Sequence, residues 1–202
     1  MAVGDVVGTG PEAAATTAMV RYSLRALTVR SIEPLNAVAL LNETMVAASV
    51  ERGNDETFCT AIVGSLQSTG DRLEVVLVSG GHPFPYIRRR NGTLEEVTLG
   101  GLLLGVLPDA RFAATNLTLT DGDQLVLFTD GILEARSGTG EMFGVEGVRR
   151  VLADCTGSAR ETADTLEAAV VTHVAGELVD DLAVLVIMCC PEDAGRSAAN
   201  SG

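Results

Sequence analysis

The residues of this chain best suited to chemistry are acidic side chains that stand beside apolar runs. Each borders a predicted strand, and they are Asp5, Asp130, Asp180 and Asp181. If those strands lie side by side, the carboxylates converge, and a divalent cation relieves their mutual repulsion. Oxygen ligands without His or Cys favour Mg²⁺ or Mn²⁺, and two such ions can activate a water for attack on phosphorus.

The same residues have a simpler interpretation as turn residues. Asp followed by Gly is a common turn pair, as in Asp130-Gly131, and Asp180-Asp181 also fits an exposed loop before a strand. Spacing along the chain does not show that these positions meet in space. Both interpretations therefore stay open on the sequence pattern alone.

The composition indicates a globular and strongly acidic protein. Of its 202 residues, 47% are hydrophobic and 20% charged, with 27 acidic against 14 basic residues and a net charge of −13. Nucleic acid and anionic membranes are poor partners for such a surface, because phosphate binding needs a basic footprint. We expect one domain over residues 1–190, followed by a disordered polar tail over 191–202.

The cysteines predict a reducing, cytoplasmic location. Cys59, Cys155, Cys189 and Cys190 form no CxxC pair and no zinc spacing, and we expect the adjacent pair to be buried thiols. The N-terminus does not look like a signal peptide. Because no apolar run approaches the roughly 20 residues that span a bilayer, we expect no membrane insertion.

Hydrophobic periodicity predicts helices, then a block of strands, then helices and a last buried strand. The helices are expected at 11–29, 34–49, 144–153 and 159–175, and the strands at 58–66, 73–79, 85–90, 93–99, 112–119, 125–129 and 182–188. Asn91-Gly92 predicts a two-residue hairpin turn. In the first helix we expect an apolar stripe, widened on one side; the stripe is Ala15, Met19, Tyr22 and Ala26, and the residues that widen it are Val20, Leu24 and Leu27. Short turns between the strands favour an α+β fold with an antiparallel sheet system.

Two further motifs have alternative interpretations. His82, in Gly80-Gly81-His82-Pro83, is either a general acid or, as we favour, a structural hydrogen-bonding residue of a tight turn. The run 88–90, three arginines beside Asn91-Gly92, is either a phosphate clamp or the solvated end of a hairpin.

Ten short motifs, in order, connect this chain to a known family. They occupy residues 4–10, 12–14, 58–61, 79–83, 103–106, 122–125, 128–131, 134–135, 143–144 and 180–183. In these motifs the chain resembles the PPM family, the metal-dependent protein serine/threonine phosphatases, in its bacterial stage-II-sporulation-E-like branch. The resemblance covers nearly the whole chain and implies two packed antiparallel β-sheets flanked by helices, with the metal site at one end of the sandwich.

The resemblance also implies roles for individual residues. Asp5 would bridge two Mn²⁺ or Mg²⁺ ions, the backbone carbonyl of Val6 would bind one ion, and Asp130 and Asp180 would hold the second. Asp181 would assist, although the resemblance leaves open which of the two adjacent aspartates is the direct ligand. Water activated by the ions would attack phosphoserine or phosphothreonine without a phosphoenzyme. Substrates in this branch are often phosphorylated anti-anti-sigma factors.

The chain departs from the family pattern at three places. An earlier strand pair with a further acidic residue is missing, so we expect one sheet to lack strands and to expose an edge. The usual Lys and Thr are replaced by Thr9 and Ala183. These departures leave a second hypothesis, a catalytically impaired module that binds a partner in sigma-factor signalling. They would also leave the apolar face of helix 11–29 available for contact with a second copy.

Overall fold

Alternating apolar residues build the strands of this protein, and amphipathic helices cover them. The computed structural model describes residues 1–52, 57–174 and 181–190. Its elements are β1 (Ala2–Val6), α1 (Gly10–Val29), α2 (Pro34–Arg52), β2 (Cys59–Ser68), β3 (Arg72–Gly80), β4 (Tyr86–Arg88), β5 (Leu94–Glu96), β6 (Ala114–Thr120), β7 (Gln124–Phe128), α3 (Asp130–Glu134), α4 (Gly144–Asp154), α5 (Ala159–Val174) and β8 (Val184–Met188).

The strands form two four-stranded sheets. The first sheet has the order β1-β2-β3-β6 and the second sheet has the order β5-β4-β7-β8. Every pairing within them is antiparallel. The α+β architecture predicted from the sequence is therefore confirmed. Among the described strands, β1 pairs only with β2 and forms one edge of the first sheet.

Side chains of β7 show how the layers pack. Leu125 and Leu127 point towards the first sheet and pack with its Ile62 and Leu77 in the core between the sheets. Val126 and its neighbours on the opposite face pack against α4 and α5. Because a strand alternates its side chains between two faces, a strand buried on both sides reads as one continuous apolar run. The expectation that 125–129 is a central strand is confirmed.

Helices α1 and α2 cover the outer face of the first sheet. In α2, Val38, Leu41 and Met45 lie three and four residues apart and are fully buried against that sheet. The apolar face predicted for α1 is partly correct. Met19, Val20 and Leu24 pack against the cluster under the helix, whereas Tyr22 of the predicted stripe is 67% exposed. Apolar residues also occur on the exposed side of α1, as Tyr22 and Val29 do, so periodicity alone did not fix the buried face.

The hairpin between β4 and β5 differs from the two-residue prediction. The backbone N–H of Gly92 donates to the carbonyl of Arg89 at 2.9 Å, and the N–H of Arg89 donates to the carbonyl of Thr93 at 2.8 Å. The loop thus has three residues and ends in Gly92, with φ of 89°. A left-handed glycine after a turn of this kind is the usual ending of a three-residue hairpin.

Two expectations about the C-terminal part are also corrected. Strand β8 is half-buried at the edge of the second sheet rather than buried on both faces. Cys189 is buried but Cys190 is exposed, because the two side chains of an extended segment point in opposite directions. The predicted tail over 191–202 lies outside the described residues. In the part of the chain that is described, no helix has the length and apolar character to cross a bilayer.

Candidate active site

Strand β1 places Asp5 at the end of the first sheet. Asp5 lies opposite Thr60 in the β1–β2 pairing. The chain then turns sharply into α1 through Gly8 and Gly10, whose φ values of 89° and 82° lie in the left-handed region that glycine adopts without strain. This turn and the start of α1 enclose a cavity of about 580 Å³, which we call the Asp5 cavity. The residues around it include Asp5, Val6, Thr9, Ala13, Thr17 and Asp181.

The backbone of Asp181 is fixed against the end of β7. The hydroxyl of Thr129 donates to the Asp181 carbonyl at 3.2 Å and accepts from the backbone N–H of Ala183 at 3.1 Å. A Cβ added to Gly131 would lie 2.6 Å from the same carbonyl oxygen. Glycine therefore allows the segment that carries Asp181 to lie directly beside the segment that carries Asp130.

Asp130 is the first residue of the short helix α3 and is separated from the end of β7 by Thr129 alone. It is half-buried and borders a second cavity, of about 550 Å³, which we call the His82 cavity. Other residues around this cavity include Thr60, His82, Tyr86, Glu96 and Phe128. The two cavities lie at one end of the sandwich, since Thr60 borders the second and pairs with Asp5 of the first.

A buried histidine connects the two sheets at this end. Nδ1 of His82 lies 2.8 Å from the hydroxyl of Thr60, and the backbone N–H of His82 donates to the Ser79 hydroxyl at 3.3 Å. Burial lowers the pKa of His82, whereas the charge of Asp130 acts to raise it. The imidazole is therefore neutral at neutral pH, which favours the structural interpretation over a general acid that donates a proton.

The charge of Asp5 also acts on a neighbouring thiol. Burial and, to a smaller extent, the carboxylate of Asp5 together raise the pKa of Cys59 to about 12. Cys59 is 2% exposed, with its Sγ 3.6 Å from the sulfur of Met45. A thiol so strongly protonated and so deeply buried does not serve as a nucleophile. The polar side chains that border the two cavities at this end offer mainly oxygen atoms.

The predicted site residues are thus brought to one end, but they are not all gathered into one cluster. Asp5, Val6 and Asp181 border the Asp5 cavity and Asp130 borders the His82 cavity. Asp180 lies outside the described residues. Among the residues that the structure describes, no three His, Cys, Asp or Glu side chains lie close enough together to hold a metal ion. The donors match a hard cation in chemical type, yet the described carboxylates alone do not complete a metal site.

The three arginines of 88–90 lie away from this end. Arg89 donates to Asp123 at 3.0 Å and to Glu95 at 2.9 and 2.8 Å, and Arg90 donates to Asp121. Asp121 and Asp123 precede β7 and Glu95 lies on β5, whereas Asp130 follows the other end of β7. Arg89 and Arg90 form ion pairs at the hairpin, so they do not act as a phosphate clamp at the candidate site. Arg88 takes part in none of these ion pairs and is only 5% exposed, so the expectation of a solvated run is wrong at this residue.

Sequence reasoning did not single out Thr60, Tyr86 or Glu96. Thr60 and Tyr86 are polar side chains within apolar strands, which is the pattern that most often marks a buried hydrogen bond. Their partners are 22 and 10 residues away along the chain, so the contacts depend on strand pairing that no local pattern specifies.

Two curated relatives extend beyond this chain. Protein IcfG of Synechocystis sp. is 26% identical over 157 residues, which are 77% of this chain and 24% of that protein. The phosphoserine phosphatase RsbU of Bacillus subtilis is 26% identical over 189 residues, which are 93% of this chain and 54% of that protein. The chain spans about half of the length of RsbU and about a quarter of that of IcfG.

Solved structures share the fold. The SiaA-PP2C domain of Pseudomonas aeruginosa has a TM-score of 0.78 and 18% identity, covering 93% of this chain and 74% of that one. The PP2C phosphatase domain of SpoIIE from Bacillus subtilis, with a fragment of its regulatory domain, has a TM-score of 0.75 and 20% identity, covering 95% and 54%. RsbX in complex with magnesium has a TM-score of 0.66 and 17% identity, covering 92% and 78%.

These structures agree with the two antiparallel sheets and flanking helices described above, and at such identities they bear on the fold alone. The sequence evidence reaches further. The model of the stage II sporulation protein E (SpoIIE) family matches residues 1–189. The chain therefore belongs to the SpoIIE family.

Proposed function

We propose that residues 1–190 form a phosphatase domain that hydrolyses phosphoserine or phosphothreonine on a regulatory protein of the anti-anti-sigma-factor type, with two Mn²⁺ or Mg²⁺ ions. The observation that carries the proposal is the Asp5 cavity, where Asp5 of the first sheet and Asp181 beside the second sheet face one space. Membership of the SpoIIE family and the similarity to a phosphoserine phosphatase, RsbU, support it.

The proposed ligands are the carboxylates of Asp5, Asp130, Asp180 and Asp181 and the carbonyl of Val6. When bound, the ions would lower the pKa of a water and neutralise phosphate charge. Carboxylate and carbonyl oxygens suit these hard cations better than thiol or imidazole groups do.

Other residues of the chain would hold these donors in place. Thr60 faces Asp5 across the β1–β2 pair and is fixed by His82, so the first carboxylate is tied to a buried turn. Gly131 lets the Asp181 carbonyl lie against the start of α3. The site would thus be positioned by both sheets, and movement between the sheets would separate its ligands.

The decisive experiment measures hydrolysis of p-nitrophenyl phosphate and of phosphoserine peptides with Mn²⁺ and with EDTA. We expect activity that needs the metal and falls at least about 100-fold in Asp130→Asn, because loss of a ligand exceeds the 10–100-fold cost of losing a group that orients a ligand. Asp109→Asn, at an exposed position on a loop, is the matched control. Hydrolysis that persists in EDTA and in Asp130→Asn would contradict the proposal.

The second candidate function is a binding module without catalysis. It is favoured by one observation: no three described carboxylates form a metal cluster. A folded chain that binds a phosphoprotein, takes up no Mn²⁺ in titration calorimetry and hydrolyses nothing would establish it. Self-association through α1 stays a prediction, and size-exclusion chromatography at high concentration tests it.

A further inference from the structure

The His82 cavity has a lining that indicates a definite kind of ligand. Of the described residues around it, Glu96 and Asp130 are acidic, and none is an arginine or a lysine. The remainder is mostly aromatic or aliphatic and includes Pro83, Phe84 and Leu133. A cavity with apolar walls and two carboxylates complements a long side chain that ends in a cation.

Glu96 is held in a fixed position at this cavity. The hydroxyl of Tyr86, its partner across the β4–β5 pair, donates to Glu96 Oε2 at 2.7 Å. Tyr86 itself is 2% exposed and stacks on Phe128 with ring centroids 6.2 Å apart. The carboxylate is therefore anchored from beneath by a buried aromatic pair while Glu96 stays exposed to solvent and to a ligand.

The apolar walls suit the stem of a basic side chain. Phe84 is 38% exposed and Val145 is 43% exposed, and both border the cavity. Arginine and lysine place their methylene groups along apolar surface and keep the charged head free to pair. An aromatic face such as that of Phe84 also attracts a cation within about 6 Å.

We propose that the His82 cavity binds an arginine or lysine side chain close to the phosphorylated residue of the substrate protein, with its charged head paired to Glu96. This inference rests on the proposed function and adds a specificity determinant to it. A chain with a net charge of −13 repels a phosphoprotein, and a basic residue next to the phosphate offsets that repulsion. An acidic side chain in the same position would meet the carboxylate of Glu96.

One cation of the protein itself lies near this carboxylate. Burial and the hydrogen bond to Glu96 raise the pKa of Tyr86 to about 12, and Arg149 on α4 acts in the opposite direction. Arg149 is exposed, so a basic side chain of the substrate competes with it for Glu96 in water. Removal of Arg149 therefore strengthens the proposed interaction, and removal of Glu96 abolishes it.

The test compares pairs of phosphoserine peptides in which one residue is either arginine or its neutral analogue citrulline. This residue is placed in turn at each of the three positions before and the three positions after the phosphoserine. Binding is measured by fluorescence anisotropy in EDTA, which prevents turnover, and kcat/KM is measured with Mn²⁺. We expect arginine to be preferred about fivefold at one position or more. The preference falls to about one in Glu96→Gln, rises in Arg149→Gln, and is unchanged in Glu167→Gln, an exposed carboxylate on α5.

Each outcome bears on the inference. Equal binding of arginine and citrulline at every position overturns it, as does a preference that survives Glu96→Gln or does not rise in Arg149→Gln. Should Glu96→Gln fail to fold, the inference is tested by the arginine–citrulline preference of the wild-type protein and by its change in Arg149→Gln. Failure of the proposed function gives a different result, because p-nitrophenyl phosphate and all peptides are then left intact with Mn²⁺ while the arginine preference in anisotropy persists.

Discussion

Strand β7 has an aspartate directly before its first residue and another two residues after its last residue, and the two side chains have opposite surroundings. Asp123 is 3% exposed and accepts hydrogen bonds from the backbone N–H and hydroxyl of Thr120, the backbone N–H of Arg90 and the guanidinium of Arg89, all at 2.9–3.0 Å. Asp130 is half-buried beside a cavity, and among the described residues no group donates a hydrogen bond to its side chain.

Asp123 stabilises the fold through its hydrogen bonds, whereas the side chain of Asp130 stays available to a ligand. Both residues stand next to glycine in Asp-Gly or Gly-Asp pairs, so the local sequence does not distinguish them. Asp123 satisfies donors of three other residues and has no capacity left for a ligand. The side chain of Asp130 keeps its capacity, at the end of the sandwich that also carries Asp5 and Asp181.

Removing each carboxylate in turn gives the largest expected contrast. We expect Asp123→Ala to lower the free energy of unfolding by about 3 kcal/mol, because it leaves several donors and the Arg89 guanidinium without their acceptor. Asp130→Ala should change it by no more than about 0.5 kcal/mol. Urea denaturation in EDTA measures both free energies of unfolding. Equal losses of stability in the two variants would contradict the structural role assigned to Asp123 alone.

A methyl group at Gly131 probes the same end of β7 without touching a carboxylate. Its Cβ would lie 2.6 Å from the Asp181 carbonyl, so the Asp181 segment must move, and we expect a loss of about 1–2 kcal/mol of stability. If the proposed function is correct, hydrolysis falls about tenfold as well, since misplacement by a fraction of an ångström weakens a positioned site.

Gly138→Ala is the matched control, because a Cβ there meets no atom within 4 Å. It should leave stability unchanged or raise it by a few tenths of a kcal/mol, since alanine restricts the unfolded chain. Urea denaturation and the hydrolysis assay are run on both variants. A Gly131→Ala variant indistinguishable from Gly138→Ala would show that the close approach of Asp181 is not needed.

The sequence predicted the elements better than their arrangement. Apolar alternation and short turns located the strands, because each strand is buried on at least one face and period-2 patterning follows from that. Helix α3 was not predicted, since five residues are too few to show a helical period. The edge position of β8 was also missed, because an apolar run does not reveal which strands will be its neighbours.

The candidate site depended on more than local pattern. That Asp5 and Asp130 lie at the same end could not be derived from spacing, and only the family resemblance suggested it. Asp5 lies opposite Thr60 in the β1–β2 pair, and Thr60 contacts His82 because β2 pairs with β3 and the chain turns after β3. Such contacts are set by tertiary packing, which propensities do not encode.

The contribution of Asp123 to the free energy of unfolding should be lost in acid. Burial acts to raise the pKa of Asp123, but the hydrogen bonds from Thr120, Arg90 and Arg89 outweigh it and hold the pKa below its ordinary value. The unfolded chain then binds the proton more readily, so this contribution to stability is present above the unfolded pKa of about 3.9 and is lost as the pH falls below it.

Urea denaturation between neutral pH and about pH 3 measures this dependence. In Asp123→Asn the difference in stability from the wild-type protein should narrow as the pH falls through this range. A difference that stays constant with pH would mean that the charge of Asp123 does not contribute, and that its hydrogen bonds alone hold this end of the strand.

The smallest expected effect is a change in the pKa of Tyr86 when Glu96, which borders the His82 cavity at the Asp130 end of β7, is replaced. Burial and the hydrogen bond to Glu96 raise the pKa of Tyr86 to about 12. Glu96→Gln removes the negative charge that opposes ionisation, so the pKa should fall towards 10, the value of a free tyrosine. Ultraviolet titration in a Tyr22→Phe background assigns the signal to Tyr86, because the chain has two tyrosines. An unchanged midpoint would mean that Glu96 is not anchored on Tyr86 in solution, and the Asp130 end would then lack the one fixed carboxylate that resembles Asp123.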